Sequence, residues 1–234
     1  TQHPDKWQQP FIVDDPKGKQ YVGMLKTISN NPADIIPTAD IVLFCLPAFM
    51  VEQTLETIKP YLSSKTIVGS VVGNTGFFIF AHKVLADQPI GLFAFQRVPY
   101  ISIVVEYGKK ASLLGYKDKL LIATEHISNP QEFCNDISML FCTPTILLQS
   151  FYEVTLSNSN PILHTGRLYS MWKDWNGELY KNNSLFYTSW TDEASDLLIK
   201  MDEEFFCLLD KLGVSTEHLP TLLQHYDVHD AKSL

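Results

Sequence analysis

The clearest pattern of apolar positions lies between residues 39 and 95. Ala39-Asp40-Ile41-Val42-Leu43-Phe44-Cys45-Leu46-Pro47 is a near-continuous apolar run, which suits a strand covered on both faces of a parallel sheet. Val51, Leu55, Ile58 and Leu62 follow at helical spacing, with Pro60 close to the helix end, and Thr66-Ile67-Val68-Gly69-Ser70-Val71-Val72 reads as a second buried strand. Strand, helix and strand within about 30 residues predict a right-handed βαβ unit. Gly73-Asn74-Thr75-Gly76 predicts a turn, residues 77 to 86 a helix, and Ile90 to Phe95 a further apolar strand.

The period then changes. Ile101, Ile103 and Val105 alternate up to a turn at Tyr107-Gly108-Lys109-Lys110, Ala111 to Leu114 return as a hairpin, and Lys119 to Thr124 add a strand. This predicts an antiparallel edge on the parallel sheet. From Asn129-Pro130 onward the chain reads as entirely helical, in segments 133 to 141, 145 to 172 and 192 to 212. The last carries Ala194, Leu197, Leu198, Met201, Phe205, Leu208, Leu209 and Leu212 on one stripe, acidic residues in its first turn and Gly213 as its stop. The fold class is therefore α/β: a Rossmann-like doubly wound sheet over 1–143, then an all-helical domain over 144–234, divided near Thr143-Pro144. The first buried strand reads as a middle strand of such a sheet, and the residues before it are polar and irregular. One strand-helix-strand unit of roughly 30 residues is expected to be missing ahead of it.

One polar interruption carries chemistry. In Leu156-Ser157-Asn158-Ser159-Asn160-Pro161-Ile162-Leu163-His164 a histidine follows a proline break in an apolar run, so Pro161 either kinks one helix or opens a second with Asn160 as its cap. His164 is the candidate acid/base group. If the helix runs on, Arg167 lies three residues later on the same face, and a proton donor and a cation could meet one substrate. A lone histidine on an apolar face is more often a core residue with one nitrogen satisfied, and the segment alone favours that reading.

Composition narrows the function classes. A formal charge of -8 over 234 residues argues against a general nucleic-acid surface, which needs clustered Lys and Arg. Without a long apolar run or a secretion signal at the N-terminus, a membrane span is not expected. Cys45, Cys134, Cys142 and Cys207 form no C-x-x-C pair, and three sit in apolar surroundings, as buried reduced thiols do. That fits a cytoplasmic protein. His218, His225 and His229 read as surface histidines at a helical end, and no metal site is expected.

In an open parallel sheet ligands bind at the carboxyl ends of the strands, here the turns at Leu46-Pro47-Ala48-Phe49 and Gly73-Asn74-Thr75. No G-x-G-x-x-G occurs in the 234 residues. Several segments nevertheless resemble the octopine/nopaline (opine) dehydrogenase family within the 6-phosphogluconate-dehydrogenase-like enzymes. They are Gly18-Lys19 with Gly23, Ile28-Ser29, Ala39 to Leu43 ending in Leu46-Pro47-Ala48-Phe49, Lys59-Pro60-Tyr61-Leu62, Arg97-Val98-Pro99-Tyr100, Leu114-Gly115-Tyr116-Lys117 and Asn160-Pro161-Ile162-Leu163-His164. The Pro-Ala-Phe turn is shared more widely; the Asn-Pro-x-x-His segment is more specific.

The resemblance implies an enzyme that uses NAD or NADP to reduce the imine formed between an amino acid and a 2-oxo acid. It implies His164 as acid/base group; beside it Asn160 and Arg167 are the local substrate-binding candidates, and Leu46, Pro47, Ala48, Phe49, Gly73, Asn74 and Thr75, at the strand ends, are the cofactor-binding ones. It also implies an aspartate partner for the histidine and a carboxylate-binding arginine late in the helical domain. Neither has a match here, so a chain truncated at both ends is expected. The partners are small molecules, with a homodimer as the assembly considered. The alternatives are a 2-hydroxyacid or ketopantoate-type reductase of the same superfamily, and a non-catalytic scaffold or binding protein that keeps the fold.

Overall fold

A computed structural model describes residues 3–7, 10–182 and 185–230. The chain divides into two compact units, Thr1–Thr155 and Leu156–Leu234. The first contains strands β1 (Phe11–Asp14), β2 (Gln20–Gly23) and β3 (Ile41–Phe44), helix α1 (Ala48–Ile58), β4 (Ile67–Val71), α2 (Phe77–Val84) and β5 (Gly91–Phe95). It continues through β6 (Tyr100–Glu106), β7 (Lys110–Tyr116), β8 (Leu120–Glu125), α3 (Pro130–Phe141), β9 (Thr145–Leu147) and α4 (Tyr152–Thr155). The second holds α5 (Asn160–Trp172), α6 (Asp192–Lys211) and α7 (Leu222–Tyr226).

The main sheet has the order β3-β4-β5-β8-β9. The first three strands are parallel and in step, with Ile41 beside Ile67 and Ile67 beside Gly91. Both faces are covered, which is why β5 is apolar at every position. Leu92 and Ala94 pack with Val51, Leu55, Phe77 and Phe78, while Phe93 and Phe95 pack with Phe133, Cys134 and Ile137 of α3. Full burial of each such Phe or Leu contributes roughly 1.5–3 kcal/mol. Gly69 makes room for this layer, since a Cβ there would lie 2.1 Å from the Phe93 ring. The strand at 41 to 44 is an edge strand among the described residues, with Ile41 exposed, rather than a middle one.

The hairpin of β6 and β7 is not the antiparallel edge of this sheet. It pairs through β7 with β1 in a second sheet of order β2-β1-β7-β6, and β8 supplies the antiparallel member of the main sheet. The first hairpin, β1 and β2, was absent from the sequence reading. Its turn is closed by the Asp15 carboxylate, which accepts from the Lys17 amide, and by Gly18 at a φ of +83°. Much of the second sheet stays uncovered: Ile101, Ile103, Val104 and Val105 of the edge strand β6 are 47%, 52%, 68% and 56% exposed.

The chain after Pro130 is not wholly helical. Residues 145 to 147 form β9, parallel to β8, so that β9 and α4 belong with the sheet and the division between units falls after Thr155 rather than near Thr143. Pro161 opens a helix instead of kinking one, and the cap is Ser159, with Asn160 as the first helical residue. In this unit Gly166 brings α5 against α6, where a Cβ would lie 2.7 Å from Leu198 Cδ2. Thr191 caps α6 by accepting from the Ala194 amide, and the buried Asp202 accepts from the Leu222 amide at the start of α7. Of the four cysteines only Cys134 is buried; Cys45, Cys142 and Cys207 are exposed, because apolar neighbours in sequence do not here mean neighbours in space.

Candidate active site

Because β3, β4 and β5 run parallel and in register, their carboxyl ends finish side by side. The residues leaving them are Leu46 to Phe49, the 3-10 turn Gly73–Thr75, and Gln96-Arg97. Leu46 packs against the core, whereas Pro47 and Ala48 are exposed and Phe49 is 83% exposed. Pro47 caps α1 without a side-chain hydrogen bond, so no side-chain cap competes for the first amides of that helix. Asn74 is half-buried, and of Thr75 only the backbone is described.

Gly73 has a reason of its own to be glycine. A Cβ there would lie 2.4 Å from Val154 Cγ1 and 2.8 Å from the Ala94 Cβ, so the protein's own packing of α4 on this turn demands it. This edge fits one flank of a flat dinucleotide, through small or exposed side chains, an exposed aromatic ring and the amides opening α1. It supplies no glycine-rich loop for a pyrophosphate, in keeping with the sequence.

Beside these turns a cavity of about 340 Å³ is lined by Gln96, Arg97, Lys117, Asp118, Lys119, Leu120 and Leu121. Three basic residues and one acidic residue are part of that lining. Burial holds the Arg97 guanidinium below its usual pKa, which marks a cation partly withdrawn from water. Gln96 is fixed beneath it, its Nε2 donating to the Glu153 carbonyl at 3.0 Å, while the Glu153 carboxylate accepts from the Gln149 and Ser150 amides. The sequence alone did not single out Lys117 and Lys119 as site residues. The signal was the strand start that follows them, since it places Lys117 and Lys119 next to the end of β5.

In the helical unit His164 is exposed one turn into α5, next to the buried Leu163. It is not the core histidine that its apolar neighbours suggested. Asn160 is also exposed, four residues earlier and so on the same face. The His164 ring lies 5.2 Å from the ring of Phe186, at an interplanar angle of 40°. Phe186 was not singled out from sequence, although the aromatic-rich stretch Leu185-Phe186-Tyr187-Thr188-Ser189-Trp190 was visible in a polar surrounding.

Arg167 is 2% exposed. Its Nε donates to the Phe186 carbonyl at 2.9 Å, Nη2 to the Ser189 carbonyl at 2.6 Å and Nη1 to the Ser170 hydroxyl at 3.3 Å. The guanidinium also lies 5.0 Å from the centre of the Trp190 ring. His164 and Arg167 thus reach the same residue, one through its ring and the other through its carbonyl. Among the described residues no group of three or more metal-ligating side chains occurs, and no helix is long and apolar enough to cross a membrane.

Comparison with known proteins gives likenesses for the fold and for the helical part of the chain. Residues 147–234 match the family model for the alpha-helical domain of NAD/NADP octopine/nopaline dehydrogenase. Opine dehydrogenase of Haliotis discus hannai is 26% identical over 187 residues, which cover 77% of this chain and 46% of that protein. Tauropine dehydrogenase of Arabella iricolor is 25% identical over 231 residues, 89% of this chain and 57% of that one. The chain thus spans about half the length of the curated relatives it matches. A solved octopine dehydrogenase, described with NADH and L-arginine, superposes with a TM-score of 0.79 at 21% identity, covering 96% of this chain and 60% of its own, and so shows the Rossmann-plus-helical fold. By these matches, the helical part of the chain resembles the alpha-helical domain of the octopine/nopaline dehydrogenase family.

Proposed function

We propose that the protein containing this chain is an opine-type dehydrogenase, reducing the imine of an amino acid and a 2-oxo acid with NADH or NADPH, and that His164 is its acid/base group. The observation that carries the reading is the exposed imidazole of His164, one turn into a helix opened by Asn160-Pro161 within the stretch matching the family's helical domain. Related structures are described with NADH and L-arginine, with NADH and pyruvate, and with NADP+.

The reduced nicotinamide, when bound, supplies the hydride. Leu46 to Phe49 and Gly73 to Thr75 would line it at the carboxyl edge of the sheet. Hydride arrival at the C=N carbon builds negative charge on nitrogen, and an exposed imidazole can deliver the proton that neutralises it. Asn160, on the same face, would orient the substrate by hydrogen bonds. A substrate carboxylate needs a cation, and Arg97 with Lys117 and Lys119 lines a cavity beside the cofactor turns, which suits it to that task.

The test is the steady-state rate of NADH or NADPH oxidation by the full-length protein with pyruvate, in the presence and absence of amino acids. His164→Ala and His164→Asn should each lower turnover by roughly 100-fold or more with coenzyme affinity nearly intact. Near-normal turnover in the asparagine variant removes His164 from the mechanism. Reduction of the 2-oxo acid with no amino acid requirement favours a 2-hydroxyacid reductase instead.

A further inference from the structure

The sequence offers Arg167 as a substrate clamp, yet its donors point into the protein. We propose that Arg167 is a positioning residue, pinning the segment Phe186 to Trp190 so that the Phe186 ring backs the imidazole of His164. The inference rests on His164 being the acid/base group for its catalytic consequence, but not for its structural content.

A guanidinium buried this deeply must satisfy its N–H groups or bear a large desolvation cost. Here the fork spans two carbonyls three residues apart, Phe186 and Ser189, and its planar face meets the indole of Trp190. Trp190 is fixed in turn, its Nε1 donating to the Ser195 hydroxyl at 2.9 Å in the first turn of α6. Among the described residues between 173 and 190 there is no helix or strand, so they have no ladder of their own to hold them. Arg167 replaces that ladder with two charge-assisted bonds donated from a helix. The segment it holds presents an aromatic face to His164, limiting the ring's rotation and the water that reaches that side. Both functions follow from one side chain three residues from the histidine.

Lysine cannot reproduce this, because a single ammonium cannot span both carbonyls with the guanidinium's planar geometry. The test uses the full-length protein, with histidine ring signals observed by NMR after 13C labelling and the His164 signal assigned by its loss in His164→Asn. Arg167→Met should move the His164 ring signals, as the ring-current field of Phe186 is lost, and should lower kcat by roughly 10- to 100-fold with the KM for coenzyme unchanged. Arg167→Lys should fall between. Phe186→Ala leaves the backbone carbonyl in place for Arg167, so it should fold even where Arg167→Met does not, and it should reproduce both the NMR change and the kcat loss.

Unmoved His164 signals in a folded Arg167→Met variant overturn the proposal. So does a loss confined to the KM for the 2-oxo acid, which would return Arg167 to a substrate-binding role. If His164→Asn proves fully active, the catalytic reading fails separately, while the NMR signals still decide whether Arg167 sets the environment of the imidazole.

Discussion

The two units treat their arginines in opposite ways. In the sheet unit Arg97 lines a cavity with Lys117, Asp118 and Lys119, and burial holds its guanidinium below its usual pKa. In the helical unit Arg167 is enclosed, with its donors committed to the carbonyls of Phe186 and Ser189. The difference is one of surroundings, a cavity wall for Arg97 and a packed interior for Arg167, and residue type alone does not decide between them.

The sharpest way to break this comparison is to neutralise each arginine with methionine and measure urea unfolding. Arg167→Met should cost about 2–5 kcal/mol, because two buried carbonyls lose a charged donor. Arg97→Met should change stability by less than about 1 kcal/mol, and instead raise the KM for the 2-oxo acid in the full-length protein. Equal destabilisation by the two variants would erase the distinction.

The glycines extend the comparison to packing. Gly73→Ala forces a methyl against Val154 and the Ala94 Cβ in the core beside the turn, with an expected cost of about 1–3 kcal/mol. Gly166→Ala meets the ends of Leu198 and Met201, which can rotate, and alanine favours the helix by about 1 kcal/mol. The second variant should therefore unfold at a denaturant midpoint closer to wild type. A reversed order would show that the α5–α6 contact is the tighter of the two.

The smallest effect concerns Asp202. Burial raises its pKa above the ordinary value of 3.8, partly offset by the Leu222 amide that donates to it. A carboxyl whose pKa is raised on folding favours the folded state while protonated, so its contribution is lost as pH rises through the raised value. Asp202→Asn can keep an acceptor for the Leu222 amide without the charge. The variant should gain stability over wild type at neutral pH and lose that advantage at pH 3. A pH-independent difference between the two proteins counts against burial as the cause.

The sheet was legible in the sequence where burial on both faces left one solution. The stripe Val51, Leu55 and Ile58 and the strand ending at Phe95 have the structure their pattern predicts, while Ile41 to Phe44 forms the expected strand but at an edge, with Ile41 exposed. The second sheet was not, because β1 and β2 are half-buried or exposed and carry too little apolar contrast to announce themselves. β9 was lost inside an apolar stretch whose first residues pair with β8 while later ones turn helical, a distinction set by tertiary pairing. His164 was visible from the Asn-Pro break. Its exposure and its neighbour Phe186 were not, since the segment that bears Phe186 has no periodic pattern and is held by tertiary contacts such as that from Arg167.

The uncovered rim of β6 bears on how the molecule behaves in a crowd. Among the described residues its backbone edge is unpaired, and Ile101, Ile103, Val104 and Val105 are exposed along it, so another extended chain could add to it. What opposes this is long-range repulsion between copies carrying a formal charge of -8 at pH 7. That repulsion vanishes near the isoelectric point, about 5.3, and is shortened by salt. Colloidal stability of this chain is thus set by acidity and ionic strength at a surface remote in sequence from His164, and mild acid is the condition in which filaments or precipitate would form first.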